Sequence, residues 1–521
     1  MSSLLGAVRR GWRGRSPDGV WRGGSIPVNT VVTGLRTVVR GLVALALLPL
    51  LVDRIGAAPT GLFMVATTLT GYFTAVESGL GTSVTKYVAE HRATGDQEML
   101  GSILRASMVL LVGIGVAVAV ALTLFGVFAG HALFGTAATN SEAVPTLLVA
   151  AATALVYWPS RMGTAALQGL ERYDLNAVIQ MASSVLTFGL IFVVSESTHS
   201  VPLLTAIFGA TLVLEGVIAG VLAWPHLGLR RGLGRWRGAH LRPAAGFGAG
   251  LFLMGLADTF VYESDRIVVA AFVSAAAIVI YEVALRPHNG VRMISGLIAS
   301  ALISTSSRLA AQDQGARLRE LVLVGSLYGV VLTVPFAVLI LVLARPIIDA
   351  WIGHGYGRYA VYAQIFVSYW LIHANTGTLS AAIVGIGRIR IFVWLTAIGA
   401  VLTLGLSIGL ASAWGTVGVI WGTVIPAWVG VPLWMHYALS HVEISKARYA
   451  REVLAPGYLP IVAWTVPVIV LKLVLEPSGL FGVGAFCAVS LAALWLALLP
   501  MLRARWRRAL SDPGVASTAL A

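Results

Sequence analysis

Long apolar segments recur along the whole chain, and short polar segments separate them. Most are close to the roughly 20 residues that an α-helix needs to cross the hydrocarbon core of a bilayer. They lack the alternation of apolar and polar residues that is typical of membrane β-strands. The pattern therefore predicts an all-α polytopic membrane protein with about 14 transmembrane helices. The predicted spans are residues 26–52, 60–83, 105–130, 144–166, 175–195, 201–224, 245–273, 277–305, 319–344, 359–386, 389–412, 415–437, 457–475 and 479–501.

A short sequence repeat indicates how these spans are arranged. Asp53-Arg54-Ile55 at the end of the first span recurs as Asp265-Arg266-Ile267 in the seventh, and another apolar span follows each copy. An even number of spans separates the copies, so both have the same orientation, as in transporters built from parallel repeats. We expect two six-helix lobes related by a parallel pseudo-two-fold axis, with a C-terminal helix pair and with substrate bound between the lobes.

The connections between spans are short, and the longest one is a basic segment rich in Gly, Arg and Trp. Such a segment is expected to lie on the anionic inner leaflet as a linker between the lobes. The predicted organisation is a basic cytoplasmic N-terminal segment (1–25), an N-lobe (26–224), the basic linker (225–244), a C-lobe (245–437), the thirteenth and fourteenth spans (438–501) and a cytoplasmic tail (502–521).

The composition is typical of a membrane protein, and the distribution of Lys and Arg along the chain predicts its orientation. The chain is 58% hydrophobic and only 11% charged, with a net charge of +14. Most Lys and Arg residues lie in alternate connections, and the opposite side has only Arg54, Arg345, Arg358 and Lys472. By the positive-inside rule both termini are cytoplasmic, and an even number of spans agrees with this because it places both termini on the same side. Because the positive charge is scattered over short loops, it argues against nucleic-acid binding.

The chemistry expected of an enzyme is missing from the sequence. Cys487 is the single cysteine, which excludes internal disulfides and cysteine-based metal clusters. No glycine-rich nucleotide loop, zinc-spaced histidine cluster or nucleophile elbow occurs in a supporting context. We therefore expect neither a cofactor nor a metal, and no enzymatic activity.

Two arginines in the first span are the strongest indication of function. Arg36 and Arg40 lie near its middle, four residues apart, on the helix face that also carries Asn29 and Thr33. The resulting polar stripe extends for roughly 16 Å along the helix axis. Charge at this depth is costly and therefore faces protein, water or cargo. Since guanidinium binds phosphate bidentately and is permanently charged, the pair predicts an anionic cargo such as a pyrophosphate.

Further charged residues lie within the second, seventh and eighth spans. Candidates for cargo contacts are Arg286 and Arg292, together with Asn29; candidates for counter-charges or ion-coupling sites are Glu77, Asp258, Glu263, Asp265 and Glu282. A second interpretation is that neighbours on one helix neutralise each other, because Glu282 and Arg286 are separated by four residues and Glu263 and Arg266 by three. Both interpretations stay open. Glu215 and His373 are single polar residues, expected to be packing groups with satisfied hydrogen bonds.

Several stretches resemble a known family in the family's order. The stretch TGLFMVATTLTGYFTAVESGLGTSVTKYVAEHRATGD, ALQGLERYDLNAV (166–178), SDRIVVAAFVSAAAIVIYEVA (264–284) and IIDAWIGHGYGRYA (347–360) resemble segments of Wzx-type oligosaccharide flippases, of the polysaccharide biosynthesis branch of the multidrug/oligosaccharidyl-lipid/polysaccharide (MOP) superfamily. Glu77 stands where that pattern has aspartate, which preserves the carboxylate.

The resemblance implies two six-helix lobes, alternating access and a lipid-linked cargo. It predicts transfer of undecaprenyl-pyrophosphate-linked oligosaccharide from the inner to the outer leaflet of the cytoplasmic membrane. Expected partners are this substrate, membrane lipids and the polymerase or glycosyltransferase machinery of polysaccharide biosynthesis. The alternatives are a multidrug cation antiporter, which the two arginines disfavour, a lipid II flippase, and a membrane-embedded polysaccharide polymerase or ligase, for which the outward loops are short. A structural scaffold leaves the charge in the membrane unexplained.

Overall fold

The computed structural model describes residues 26–94, 96–134, 141–227, 229, 263–312, 314–353 and 355–510. The N-terminal segment 1–25, nearly all of the linker 225–244, most of the seventh span and the end of the tail lie outside these residues. Within the described ranges the secondary structure is helical, without a strand. The predicted all-α class is confirmed, as expected for long apolar segments that satisfy their backbone hydrogen bonds internally.

The chain divides into two compact units, Met1–Val279 and Ile280–Ala521. The first unit contains six long helices that correspond to the first six predicted spans. These are α1 (Ile26–Ile55), α2 (Ala57–Thr94), α3 (Gln97–Phe134), α4 (Ala143–Gly169), α5 (Tyr173–Ser197) and α6 (Val201–Ala223). A further helix, α7, is described over 263–272.

Helix α4 is the centre of the first unit. It packs against α2, α3 and α6, and its large side chains Tyr157 and Trp158 are fully buried. Glycine allows the close approach to α6, because a Cβ atom at Gly163 would overlap the backbone of Gly216 and Gly220. Small residues at a crossing let the backbones of membrane helices come together. This packing fixes the position of α6 relative to α4.

The second unit contains the remaining helices. They are α8 (Ala275–Ala311), whose first turn belongs to the first unit, α9 (Gly315–Ile352), α10 (Ala360–Ser368), α11 (Trp370–His373), α12 (Thr376–Gly385), α13 (Ile389–His441), α14 (Lys446–Tyr449), α15 (Ala455–Leu475) and α16 (Gly479–Leu510). A π-helical turn, Ala450–Leu454, joins α14 to α15. The C-terminal helices α15 and α16 both pack against α9.

Two predicted spans of the second unit differ from simple helices. The tenth span, 359–386, is divided among α10, α11 and α12. The eleventh and twelfth spans form α13, with a reversal at Gly415, whose φ of 58° and ψ of −139° are not helical. Ser407 donates a hydrogen bond to the Val419 carbonyl at 3.3 Å across this reversal. The two halves of α13 are therefore an antiparallel hairpin, for which glycine provides the positive φ.

Nine helices within the described residues are long and apolar enough to cross a membrane. Many of their large apolar side chains are exposed, such as Phe128 at 79% and Phe481 at 92%. Exposed apolar surface of this extent is unfavourable in water and is matched by lipid. The protein is a multi-pass membrane protein, as its sequence predicts.

Candidate functional site

The two arginines of the first span contact a single amide. Helices α1 and α5 pack together, and Arg36 Nη1 and Arg40 Nη1 donate to Oε1 of Gln180 at 3.1 Å and 3.0 Å. Gln180 is buried, Arg36 is half-buried and Arg40 is exposed. An amide oxygen orients the two guanidinium groups without itself neutralising their charge. The pair is thus held in one direction with its cationic character preserved.

A buried ion pair lies beside these arginines. Arg161 Nη1 on α4 donates to Glu215 Oε1 on α6 at 2.8 Å, and the two side chains are only 8% and 1% exposed. The Arg161 guanidinium also lies 5.4 Å from the centre of the Tyr157 ring. The second carboxylate oxygen, Oε2 of Glu215, is buried without a hydrogen-bond partner among the described residues. Such an oxygen retains the capacity to accept another hydrogen bond.

Glu215 also connects the ion pair to the arginines of α1, because it is close enough to Arg36 to interact with it electrostatically. Helices α5 and α6 are tied together by Thr187 and Thr211, whose hydroxyl oxygens are 2.7 Å apart. The ion pair and the two arginines of α1 comprise one carboxylate and three guanidinium groups. The cluster of Arg36, Arg40, Arg161, Gln180 and Glu215 is called the N-terminal cationic cluster below.

Asn29 lies one turn into α1 and its side chain is half-buried. Nearby on the same helix, the Thr37 hydroxyl donates to the Thr33 carbonyl at 3.1 Å. Glu77 lies on α2, with its side chain outside the described residues. Asp258 lies outside them altogether. The roles predicted for Asn29, Glu77 and Asp258 stay predictions.

The charges of α7 and α8 form pairs along their own helices. Glu263 contacts Arg266 in an ion pair, and Glu282 Oε2 lies 2.8 Å from Arg286 Nη2. Glu282 is fully buried, and Asp265 on α7 is also buried, at 1% exposure. The contacts anticipated from the i, i+3 and i, i+4 spacing are present for Glu263 and Glu282, and the functional roles of these carboxylates stay predictions. Arg292, half-buried on α8, lies within electrostatic range of His288 and His373.

Sequence reasoning did not assign three members of the N-terminal cationic cluster to the site. Arg161 falls inside the predicted span 144–166, and charge at that position is the signal that could have found it. Glu215 was expected to be a satisfied packing group, whereas one of its oxygens has no hydrogen-bond partner among the described residues. Gln180 carried no sequence signal, because a neutral amide in a membrane helix is compatible with many roles.

One stretch of the family-like sequence is structural. In the connection between α4 and α5, Arg172 Nε and Nη2 donate to both carboxylate oxygens of Asp174 at 2.9 Å and 3.0 Å. Both side chains are buried, and Glu171 adopts a positive φ of 60° at the turn. This bidentate pair fixes the start of α5 and hence the position of Gln180 on it.

Comparison with known proteins agrees with this architecture. The family model described as "Polysaccharide biosynthesis protein" matches residues 105–361. The resemblance to this family that the sequence predicts is thereby confirmed. No curated protein matches the sequence significantly.

Solved structures with similar folds are membrane transporters. The lipid II flippase MurJ in an inward-closed conformation aligns with a TM-score of 0.67 at 12% identity, covering 91% of this chain and all of that one. A multidrug-resistance MATE family transporter of the MOP superfamily aligns in its inward-facing conformation with a TM-score of 0.59 at 16% identity, covering 80% and 98%. An outward-facing structure of such a transporter gives 0.56 at 17% identity, covering 80% and 95%. At these identities the comparison establishes the fold alone, which this chain shares with those structures.

Proposed function

We propose that the protein is a flippase that moves undecaprenyl-pyrophosphate-linked oligosaccharide from the inner to the outer leaflet of the cytoplasmic membrane by alternating access. The observation that carries this proposal is the convergence of Arg36 and Arg40 on the neutral Gln180. Two oriented guanidinium groups within a membrane span suit a pyrophosphate, which each can bind through two parallel hydrogen bonds. The match to the polysaccharide biosynthesis family supports a lipid-linked glycan as cargo.

Gln180 also provides a hydrogen-bond acceptor for the two arginines when no cargo is bound. Gln180 accepts one hydrogen bond from each guanidinium group when the site is empty, so that each arginine has an acceptor within the protein. A pyrophosphate has more acceptor oxygens and negative charge, and charge-assisted hydrogen bonds are stronger than those to an amide. Cargo therefore displaces Gln180, and Gln180 recovers the arginines when cargo leaves.

Glu215 limits the positive charge of the empty cluster. It already neutralises Arg161 and interacts with Arg36. We propose that it acts as the counter-charge in the return step, in which the arginines no longer carry cargo. The roles of Arg286 and Arg292 as cargo contacts, and of Glu77, Asp258, Glu263, Asp265 and Glu282 as counter-charges or ion-coupling groups, stay predictions.

The cellular setting follows from the same reasoning. We propose that the protein resides in the cytoplasmic membrane with both termini in the cytoplasm, and that it transports without catalysing a reaction. Its cargo would come from glycosyltransferases on the inner face and would be consumed by a polymerase on the outer face.

A lipid II flippase is the second candidate, and the fold match to MurJ favours it. Lipid II is itself a pyrophosphate-linked sugar, so the two hypotheses share the cationic cluster and differ in the sugar. A multidrug cation transporter has the same fold support, but a surplus of guanidinium groups repels cationic drugs.

Leaflet transfer in proteoliposomes tests the proposal. We would compare a fluorescent undecaprenyl-pyrophosphate oligosaccharide, fluorescent lipid II and a cationic dye, using wild type, Arg36→Ala/Arg40→Ala and Arg36→Lys/Arg40→Lys. We expect transfer of the oligosaccharide, loss in the alanine pair and partial retention in the lysine pair.

Arg54→Ala is the matched control, because Arg54 is also on α1 but pairs with the exposed Glu196 outside the cluster. It should transfer normally. A folded wild type that moves only lipid II would favour the second candidate. Normal oligosaccharide transfer by the alanine pair, or transport of the cationic dye alone, would refute the anionic-cargo mechanism.

A further inference from the structure

The tenth predicted span is interrupted near its centre. Helix α10 ends at Ser368, α11 has only four residues, and α12 begins at Thr376. Discontinuous membrane helices are stable only where neighbouring groups satisfy the freed backbone, and in transporters they mark binding sites near the midplane. We therefore expect neighbouring side chains to satisfy the freed backbone groups of the tenth span, and a binding site to lie nearby.

On one side, tyrosines hold the interruption. Tyr458 on α15 donates to the Leu371 carbonyl at 2.6 Å. Asn375, in the turn before α12, donates from Nδ2 to Tyr458 Oη at 2.8 Å and accepts from Tyr449 Oη at 3.2 Å. These bonds satisfy polar groups at the turn between α11 and α12. On this side, these hydrogen bonds have a structural role.

On the other side, a buried histidine bonds to the interrupted backbone. His288 on α8 is 2% exposed, and its Nδ1 lies 3.1 Å from the Phe366 carbonyl. A carbonyl oxygen only accepts, so Nδ1 carries the hydrogen and Nε2 of the neutral ring keeps a lone pair. The ring stacks on Phe366 with centroids 4.3 Å apart. His288 thus presents one nitrogen that can accept a proton.

A second histidine lies at the interruption itself. His373 ends α11, and its ring lies 4.3 Å from that of Tyr369 and 5.1 Å from that of Trp370. Its Nδ1 is buried and has no hydrogen-bond partner among the described residues. A buried unpaired nitrogen costs free energy that packing does not recover. Tyr369 and Trp370 contact both histidines, since their ring centroids lie 5.3 Å and 5.5 Å from that of His288.

We propose that His288 and His373 form a proton-binding site at the interruption of the tenth span. A proton from water on one side of the membrane binds an imidazole lone pair, forms a new N–H bond, and is returned to water on the other side. Among the described residues, the titratable and charged groups that face the pair are Arg292 on α8 and Tyr369 between α10 and α11, and Tyr458 on α15 contacts the nearby Leu371 carbonyl. No redox partner or further reactant is required.

Arg292 couples proton binding to movement. An imidazolium beside a guanidinium is repelled by it, strongly so in a low-dielectric interior. Proton uptake therefore favours an arrangement in which the His373 ring moves away from Arg292, and the short helix α11 is the element that such a movement displaces. The idea that proton movement drives transport rests on the function proposed above, whereas proton binding itself does not.

Trp370 provides a readout that needs no cargo, because a neighbouring imidazolium quenches indole fluorescence. We would titrate the emission of wild type and Trp370→Phe in detergent and take the difference as the Trp370 signal. We expect a reversible loss of this signal as pH falls. The loss should be reduced in His373→Gln and abolished in His288→Gln/His373→Gln, because glutamine keeps polarity and does not titrate. His441→Gln, at the end of α13, is the matched control and should titrate like wild type.

A wild type whose Trp370 signal is constant with pH, or histidine variants that titrate like wild type, would overturn the proposal. If the double variant does not fold, the wild type and His373→Gln decide. In proteoliposomes an imposed pH gradient should accelerate oligosaccharide transfer several-fold in wild type and His441→Gln, and not in His373→Gln. Titration without any transfer would reject the proposed function and keep the proton site; transfer indifferent to the gradient in every variant would reject coupling.

Discussion

Arginine lies within the membrane-spanning helices of both units, but its surroundings differ. On α1, Arg36 and Arg40 contact the neutral amide of Gln180 on another helix. On α8, Arg286 contacts Glu282 four residues earlier on its own helix, at 2.8 Å. The amide of Gln180 leaves Arg36 and Arg40 positively charged, so that they can bind an anion. The carboxylate of Glu282 neutralises most of the charge of Arg286. Whether an arginine in a membrane helix can bind an anion therefore depends on whether its partner in the protein is neutral or negatively charged.

The partners also differ in what their loss would do. Glu282 is fully buried and completes a pair that forms within one helix. In the N-terminal cationic cluster the carboxylate of Glu215 joins α6 to α4 through Arg161. Charge balance in that cluster thus depends on how three helices pack, and four predictions test the contrast.

The largest effect is expected on folding. Glu215→Ala leaves Arg161 buried without its carboxylate and should lower the free energy of unfolding by about 3–5 kcal/mol. Denaturation in detergent, followed by size-exclusion chromatography, measures this. Arg161→Leu/Glu215→Leu should recover most of the loss, because it removes both charges. Equal instability of the double variant would mean that the pair acts through packing alone.

The next largest effect is expected on transport. Arg36→Ala/Arg40→Ala removes two charge-assisted hydrogen-bond donors, each contributing about 1.5–3 kcal/mol, and should reduce transfer roughly 100-fold or more. Arg286→Ala/Glu282→Ala, which removes a neutralised pair, should reduce transfer less if the two regions differ as described. Comparable losses in the two variants, at equal protein levels, would contradict the distinction between the regions.

A smaller effect should follow from making the first region resemble the second. Gln180→Glu places a carboxylate between Arg36 and Arg40, so that cargo must compete with a permanent counter-charge. We expect about tenfold weaker cargo binding, equivalent to about 1.4 kcal/mol, measured by the cargo concentration at half-maximal transfer. Gln180→Asn is the control without added charge. If Gln180→Glu binds cargo as wild type does, the neutral amide is not what keeps the site open.

The smallest effect is expected at the membrane surface. Arg54 and Glu196 form a pair 3.2 Å apart, with side chains 33% and 52% exposed. Solvent screens such a pair, so Glu196→Gln should change the free energy of unfolding by less than about 1 kcal/mol. A change as large as that of Glu215→Ala would show that exposure does not separate the two ion pairs.

Much of the fold could be predicted from the sequence, because each apolar run encodes its own helix. The first six predicted spans coincide with α1–α6, and the division between the eleventh and twelfth spans falls at Gly415. The interruption of the tenth span was not predicted. Its hydrophobic pattern is continuous, and what stabilises the break is a set of hydrogen bonds from Tyr458 and His288, which are distant in the sequence.

The candidate site was predictable only in part. Arg36 and Arg40 stood out because charge is rare in an apolar run, and their shared helix face follows from their spacing. Gln180 did not stand out as their partner, nor Glu215 as the partner of Arg161. A pairing between helices depends on which faces pack together, and the spacing of residues within one helix contains no information about it.

The sequence by itself determined the membrane environment, the helical class, the approximate limits of the spans and the presence of deep positive charge. These properties are sums over neighbouring residues, so local composition is sufficient. Only the tertiary structure decided that Gln180 receives both arginines, that Glu215 neutralises Arg161 and that His288 reaches the interrupted span. Those contacts join residues far apart in the chain, and they exist because close helix packing brings particular side chains within hydrogen-bond distance.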